Sequence, residues 1–161
     1  MTLLNIRPEN HADSGMFEYV SADARQLPFG DGSFDVVFSN SVIEHVGTHG
    51  EQRRFAEEVQ RVGRLYWVQT PNRWYPIETH LLTPLLHFLP MKLQRPLARR
   101  WTLWDLIEQP SPDRREFYIE HYLNTIRLLT AAELKALFPG GQLLRERHLG
   151  ITKSLIVAKT T

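Results

Sequence analysis

Two groups of polar residues in the first half of the chain have the types and the spacing to bind a small molecule. Asp23 follows a short apolar stretch over residues 17–21, and its carboxylate can accept hydrogen bonds beside the backbone donor of Ala24. The group that ends a second apolar stretch, residues 34–39, consists of Ser39, Asn40 and Ser41. Open α/β sheets bind their ligands at the carboxyl ends of strands, so both groups are candidate binding residues.

Histidines and a glutamate in the next segment could move protons or hold a metal ion. His45 and His49 lie four residues apart, and Glu44 precedes the first of them. Two histidines with one adjacent carboxylate are an incomplete ligand set, and Gly47 weakens a helix there. We therefore predict no metal site, and we interpret His45 as part of a local cap or as a contact for substrate.

Glu78 and His80 form a second candidate pair, since they follow another predicted strand end and lie among aromatic residues. A buried carboxyl group next to a histidine is a common arrangement for general acid–base chemistry. A structural ion pair explains the same two residues equally well. We take His45, Glu78 and His80 as the candidate catalytic residues.

The composition is typical of a folded protein of one domain. The chain has 161 residues, 42% of them hydrophobic and 23% charged, with a formal net charge of +1. The balanced charge gives no general attraction to nucleic acid, and the absence of cysteine excludes disulfides and thiolate chemistry. The apolar-rich stretch 81–93 is shorter than the ~20 residues that span a bilayer, and prolines and polar residues interrupt it. We expect a single domain over residues 1–161, located in the cytoplasm, without stable membrane insertion.

Hydrophobic periodicity places the candidate residues on an α/β framework. Four strands are predicted, over residues 2–6, 17–21, 34–39 and 65–70. A helix over residues 50–63 joins the last two strands as a βαβ unit, which makes those strands parallel. The proline-rich segment 72–124 has a looser pattern and is predicted to be an insertion of short helices and loops. A capping box at Thr130 begins a further helix, and a hairpin of strands over residues 142–148 and 154–159 closes the chain.

Two motifs resemble the middle of a known family. They are the run DARQLPF at residues 23–29 with DGSFD directly after it, and the segment SNSVIEHV at residues 39–46. Both are similar to class I S-adenosylmethionine-dependent methyltransferases of type 11. The order of predicted elements resembles that family, after its first strand and helix, over nearly the whole chain. The resemblance implies a Rossmann-like α/β fold with a mixed, mostly parallel sheet and an antiparallel strand from the C-terminal hairpin.

The resemblance also implies S-adenosylmethionine as cofactor and a role for each binding residue. Asp23 would accept a hydrogen bond from the adenine amino group, and the amide of Ala24 would meet the ring. Asn5 stands where the family usually has an acidic residue that binds both ribose hydroxyls, so a weaker ribose contact is expected. The residues near the methionine part of the cofactor would be Ser39, Asn40 and Ser41.

The chain departs from the family because no glycine pair follows a strand and opens a helix. In the family that loop brings backbone amides to the cofactor, so we expect weak or undetectable affinity for S-adenosylmethionine. The family's strand before that loop is central in its sheet. Without it, the strands at residues 2–6 and 34–39 must pair directly, leave a gap, or be bridged by another copy in a homo-oligomer. The chain would then be a truncated enzyme or a degenerate relative.

The function predicted on these grounds is methyl transfer to a small acceptor. Apolar residues over 81–91 suggest that this acceptor has a hydrophobic part. The alternative is a non-catalytic relative that keeps the fold for binding or assembly. A nicotinamide-binding domain is a third interpretation, and the terminal hairpin argues against it.

Overall fold

The structure is a computed structural model that describes residues 1–6, 16–78 and 80–161. Its main sheet consists of four strands: β3 (Phe34–Asn40), β4 (Gly63–Pro71), β7 (Gln142–His148) and β8 (Ile151–Lys159). They lie in the order β3-β4-β8-β7. β3 and β4 pair in parallel, whereas β8 is antiparallel to both of its neighbours. The mixed α/β fold with an antiparallel C-terminal hairpin agrees with the prediction.

A separate parallel pair consists of β1 (Thr2–Asn5) and β2 (Glu18–Ser21). Across the described residues, no backbone ladder joins β1 to β3. Within the described chain the two strands are therefore separated by a gap and do not pair directly, and bridging by another copy stays a prediction. The gap is a cleft of about 260 Å³ with mostly apolar side chains of both strands along its walls. Val36 and Phe38 of β3 line it and are 58% and 67% exposed.

Helix α1 (His49–Val62) follows β3 and packs on the main sheet. Its N-terminus has a capping box, in which Thr48 accepts a hydrogen bond from the Glu51 amide and Glu51 accepts one from the Thr48 amide. The helix buries Phe55, Ala56 and Val59 in one apolar cluster with β4 and β8. Gly63 ends the helix with a φ of −102°, so it does not serve as a left-handed cap. A Cβ there would lie 2.6 Å from Val37 Cγ2, and close packing is the reason for glycine at this position.

The described part of the segment predicted as an insertion contains two very short strands, a 3₁₀ turn at Leu86–Phe88 and three α-helices. The strands and α-helices are β5 (Ile77–Glu78), β6 (Thr83–Pro84), α2 (Met91–Arg100), α3 (Leu103–Glu108) and α4 (Pro112–Thr125). This segment has an apolar cluster of its own, made of Leu81, Leu86, Ala98, Trp104, Ile119, Tyr122 and Leu123. Arg95 of α2 pairs with Glu120 of α4 at 2.7 Å, which ties the two helices together across their polar faces.

Helix α5 (Ala131–Leu137) returns the chain from the insertion to the main sheet. Its capping box between Thr130 and Glu133 is present as predicted. α5 contributes Leu134 and Leu137 to the same cluster as α1, so helix and sheet share one core. Among the helices that the structure describes, none has the length and apolar character required to cross a membrane.

Candidate functional site at the ends of the strands

One pocket is lined by the residues predicted to bind the adenosine part of a cofactor. Asn5 at the end of β1, with Asp23 and Ala24 after β2, lines a pocket of about 250 Å³. His45, from the 3₁₀ turn Ile43–His45 that follows β3, lines the same pocket. The parallel pairing of β1 and β2 brings Asn5 opposite Ser21 and thereby places it next to the start of the loop that carries Asp23. Four predicted residues from three separate segments therefore line one pocket.

The carboxylate of Asp23 is held by an arginine that sequence reasoning did not select. Arg25 Nε lies 2.9 Å from Asp23 Oδ1 and Nη2 lies 2.6 Å from Oδ2, while the Arg25 amide donates to Oδ1 at 2.8 Å. These hydrogen bonds hold the pKa of Asp23 below its usual value, against the opposing effect of burial. Arg25 also reaches Glu51 at 2.5 Å. The Asp-x-Arg spacing is the sequence signal that could have indicated this clamp.

The residues at the end of β3 lie beside the cleft between β1 and β3. Ser39 and Asn40 line this cleft, which shares Leu4, Ala24 and Val42 with the pocket around Asp23. Ser41 has a φ of 53°, in the left-handed region, and its amide donates to Gln69 O at 3.0 Å. The strained turn at Ser41 ends β3 and directs the chain into the 3₁₀ turn that carries His45.

The three residues predicted as catalytic lie together. The ring centroid of His45 is 5.1 Å from that of His80, and His80 Nδ1 is 2.6 Å from Glu78 Oε1. Glu78 is fully buried, and its other oxygen accepts from the Leu81 amide at 2.5 Å. Burial, followed by the charges of His80 and His121, lowers the pKa of His45 to about 4, so its imidazole is neutral at pH 7.

Glu44 is the residue of this region that sequence reasoning undervalued. Its side chain is fully buried, and Oε2 accepts a hydrogen bond from Thr70 Oγ1 at 2.9 Å. Burial raises the pKa of its carboxyl group. A ligand oxygen of Glu44 lies within 4.8 Å of the ring nitrogens that His45 and His80 can offer. His49, which the spacing had suggested as the companion of His45, is instead exposed at the first turn of α1.

A comparison with known protein families finds a match in the N-terminal part of the chain. The family described as "Methyltransferase domain" matches residues 2–65, which include the whole pocket around Asp23. No curated protein matches the chain significantly in sequence.

Solved structures resemble the chain at low sequence identity. A protein from Rhodobacter sphaeroides named among the Zn-dependent alcohol dehydrogenases is 14% identical over 88% of the chain, with a TM-score of 0.53. A possible exported protein from Bordetella parapertussis is 16% identical over 99%, with a TM-score of 0.52. A SAM-dependent methyltransferase from Methanosarcina mazei is 17% identical over 88%, with a TM-score of 0.49.

These likenesses concern the fold and part of the length. The chain spans 64%, 53% and 65% of the Rhodobacter, Bordetella and Methanosarcina proteins, which is less than two thirds of each. At such identities, the two structures with the higher TM-scores support a Rossmann-like α/β architecture. The family match indicates that residues 2–65, less than half of the chain, are similar to a methyltransferase domain.

Proposed function

We propose that the chain takes part in S-adenosylmethionine-dependent methyl transfer to a small acceptor. The observation that carries this proposal is the pocket that Asn5, Asp23, Ala24 and His45 line together. It therefore combines hydrogen-bonding groups for an adenosine with an imidazole. A cytoplasmic location is part of the proposal, because the cofactor is a soluble metabolite of that compartment.

The residues present fit such a cofactor in size and in polarity. The pocket around Asp23 and the adjoining cleft are each slightly below the ~300 Å³ of small ligand sites, and together they fall within the usual range. Asp23 and Asn5 would hold the adenosine, and Ser39 and Asn40 the methionine part. The side chain of Asp23 is 38% exposed, so an adenine amino group can reach it beside Arg25. When bound, the cofactor supplies a methyl group activated on a sulfonium.

The cluster of His45, Glu78 and His80 would form the acceptor side of the site. Transfer of an activated methyl group depends chiefly on holding the acceptor atom in line, and a base is needed only for some acceptors. The Glu78 carboxylate fixes the ring of His80, and His80 in turn contacts His45. We propose that these side chains bind and orient the acceptor.

Exposed apolar side chains in the insertion support an acceptor with a hydrophobic part. They are Leu85, Phe88, Met91, Leu93 and Leu97, and each is at least 40% exposed. Phe88 stacks with the exposed ring of Trp74 at 5.9 Å between centroids. Apolar surface on the same segment that carries His80 favours an acceptor that has one polar end and one apolar end.

Calorimetric titration of the full chain with S-adenosylhomocysteine tests the proposal. We expect saturable but weak binding, with a Kd of about 0.1–1 mM, because among the described residues no glycine lines the pocket and brings backbone amides to the ligand. Asp23→Ala should weaken binding by about 1–3 kcal/mol. Asp35→Ala is the matched control, since Asp35 is an exposed aspartate that pairs only with Arg64 among the described residues. No binding at millimolar concentrations, or equal binding by both variants, would reject the proposal.

A non-catalytic binding or assembly protein is the second candidate. The observation in its favour is that Arg25 donates hydrogen bonds to both oxygens of Asp23. The carboxylate proposed to bind adenine therefore already has a partner within the chain. The same titration discriminates between the two functions. Absence of binding by the wild type together with normal folding would support the second candidate.

A further inference from the structure

Three side chains from two distant segments converge beside the proposed site. Glu44 and His45 belong to the turn after β3, and His80 lies in the loop between β5 and β6. One ligand atom from each side chain can be chosen so that all three lie within 4.8 Å of one another. The pair of histidines and the carboxylate is a donor set that binds divalent transition metals. The sequence offered His49 as the third donor, whereas the fold supplies His80.

The buried carboxylate of Glu44 is an independent indication that this cluster binds a ligand. Its side chain has no exposed surface, yet Oε1 has no hydrogen-bond partner among the described residues. Only Oε2 is satisfied, by Thr70. A buried carboxylate oxygen without a partner is costly, and side chains of this kind are normally paired with a cation or a donor. The unsatisfied oxygen belongs to the same carboxylate that faces His45 and His80.

The orientation of His80 is already fixed for ligation. Its Nδ1 lies 2.6 Å from Glu78 Oε1, and that oxygen also accepts from the His80 amide at 3.0 Å. If Nδ1 carries the proton and donates to Glu78, the lone pair of the ring lies on Nε2. A carboxylate behind a histidine is the usual outer-shell partner of a metal ligand, since it fixes the tautomer and strengthens the donor. Glu78 is fully buried, so this support is rigid.

We propose that Glu44, His45 and His80 bind one divalent transition metal ion, with Zn²⁺ the ion that best suits the donor set. Bonds of about 2.0–2.1 Å in a tetrahedral site place donor atoms about 3.3 Å apart, so the donors must close in by at most about 1.5 Å. Side-chain rotations of His45, which is half-buried, can supply this movement. Three protein donors leave at least one open position, as in catalytic metal sites.

The open coordination position of the metal could bind the acceptor of methyl transfer. His45 lines the pocket that contains Asp23, so a ligand on the metal would lie next to the proposed cofactor. A hydroxyl or carboxylate oxygen of the acceptor is the group such a metal would hold, and the metal would lower the pKa of a hydroxyl. This extension rests on the proposed function, whereas binding of the metal does not. A chain that binds Zn²⁺ but not S-adenosylhomocysteine would keep the metal site and reject methyl transfer.

Equilibrium dialysis of the full chain against ZnCl₂, after treatment with a chelator, tests the proposal. We expect one Zn²⁺ per chain and a rise in the melting temperature of the wild type when Zn²⁺ is added. His80→Ala and Glu44→Gln should lose stoichiometric binding and the rise in melting temperature. His49→Ala is the matched control because this exposed histidine is outside the cluster, and it should behave like the wild type.

A milder variant keeps the test informative if the ligand variants fold poorly. Glu78→Gln removes the charge behind His80 and should weaken Zn²⁺ binding by about 10–100-fold without abolishing it. Circular dichroism in the absence of metal reports whether each variant is folded. Absence of stoichiometric Zn²⁺ binding by the wild type would overturn the proposal. The proposal would also be overturned if folded His80→Ala bound Zn²⁺ fully, or if His49→Ala lost Zn²⁺ binding.

Discussion

His80 lies on the acceptor side of the proposed site, so its replacement should separate acceptor chemistry from cofactor binding. His80→Ala should lower kcat for formation of S-adenosylhomocysteine by about 100-fold, a typical loss for a group that positions or deprotonates an acceptor. Affinity for S-adenosylhomocysteine should change less than about twofold. Turnover is measured with a panel of phenols and amines of increasing chain length. His49→Ala should leave both quantities unchanged, and a His80→Ala loss confined to affinity would contradict the assignment.

Asp23 tests which property of the carboxylate matters. Asp23→Asn keeps one acceptor oxygen but loses the ion pair with Arg25. Its affinity for S-adenosylhomocysteine should fall by less than about tenfold, whereas Asp23→Ala should cost about 1–3 kcal/mol because a donor loses its partner. Calorimetry of both variants gives the comparison. Equal and negligible effects of the two changes would place Asp23 outside the site.

The sequence predicts which residues lie close together when regular strand pairing brings them to the same place. Asn5 and Asp23 meet because both follow parallel strands, a relation that strand ends alone imply. Proximity of Glu44 to His80 could not be predicted in this way. It depends on how β5 and the loop after it fold back against the turn at Ile43–His45, which is a non-local contact without a periodic signal. The ion pair of Arg25 with Asp23 was not predicted, because the Asp-x-Arg spacing alone does not determine which side chain faces Asp23.

At the element scale, the capping box of α5 gives a prediction about stability and pH. Burial acts to raise the pKa of Glu133, but hydrogen bonds from Thr130 and from Arg127 outweigh it and lower the pKa to about 2. A lowered folded-state pKa stabilises the fold above the unfolded value of about 4.5, and this stabilisation is lost as the pH falls toward 2. The contribution is on the order of 1–2 kcal/mol at pH 7, since Glu133 is partly exposed.

Urea unfolding of Glu133→Gln and the wild type measures this contribution. The free energies of unfolding should differ by about 1–2 kcal/mol at pH 7, and the difference should shrink between pH 4.5 and pH 3. Glu57→Gln, at an exposed position of α1, is the control and should show almost no difference at either pH. A difference that stays constant with pH would contradict an ionic role for Glu133.

Most element positions follow from local signals in the sequence. The capping box at Thr130 and the hairpin over residues 142–148 were predictable because caps and alternation are encoded within a few residues. The start of β8 at Ile151, three residues before the predicted 154, was not predictable, because pairing with β7 extends the strand beyond its apolar run. The tight packing of Gly63 against Val37 can be recognised only in the folded chain.

At the scale of the whole molecule, the described residues form two apolar cores and one open cleft. The core around the main sheet holds the turn with Glu44 and His45, and the core of the insertion carries the loop with His80. The candidate site lies where elements of the two cores meet, so its geometry depends on how the insertion packs. The cleft between β1 and β3 adjoins the pocket around Asp23 and leaves one edge of each strand without a partner strand in the described chain.

The unpaired edge of β3 predicts that the full chain associates with itself. Val36 and Phe38 are largely exposed on a strand that, among the described residues, pairs with β4 alone, and open apolar edges favour pairing with another copy. Sedimentation velocity should show dimers that increase with concentration, and Val36→Lys should shift the population to monomer. Ile107→Lys, on the exposed face of α3, removes a similar apolar side chain away from any strand edge and should leave the dimer intact. A wild type that stays monomeric at every concentration, or equal effects of the two lysine variants, would show that β3 is not the contact.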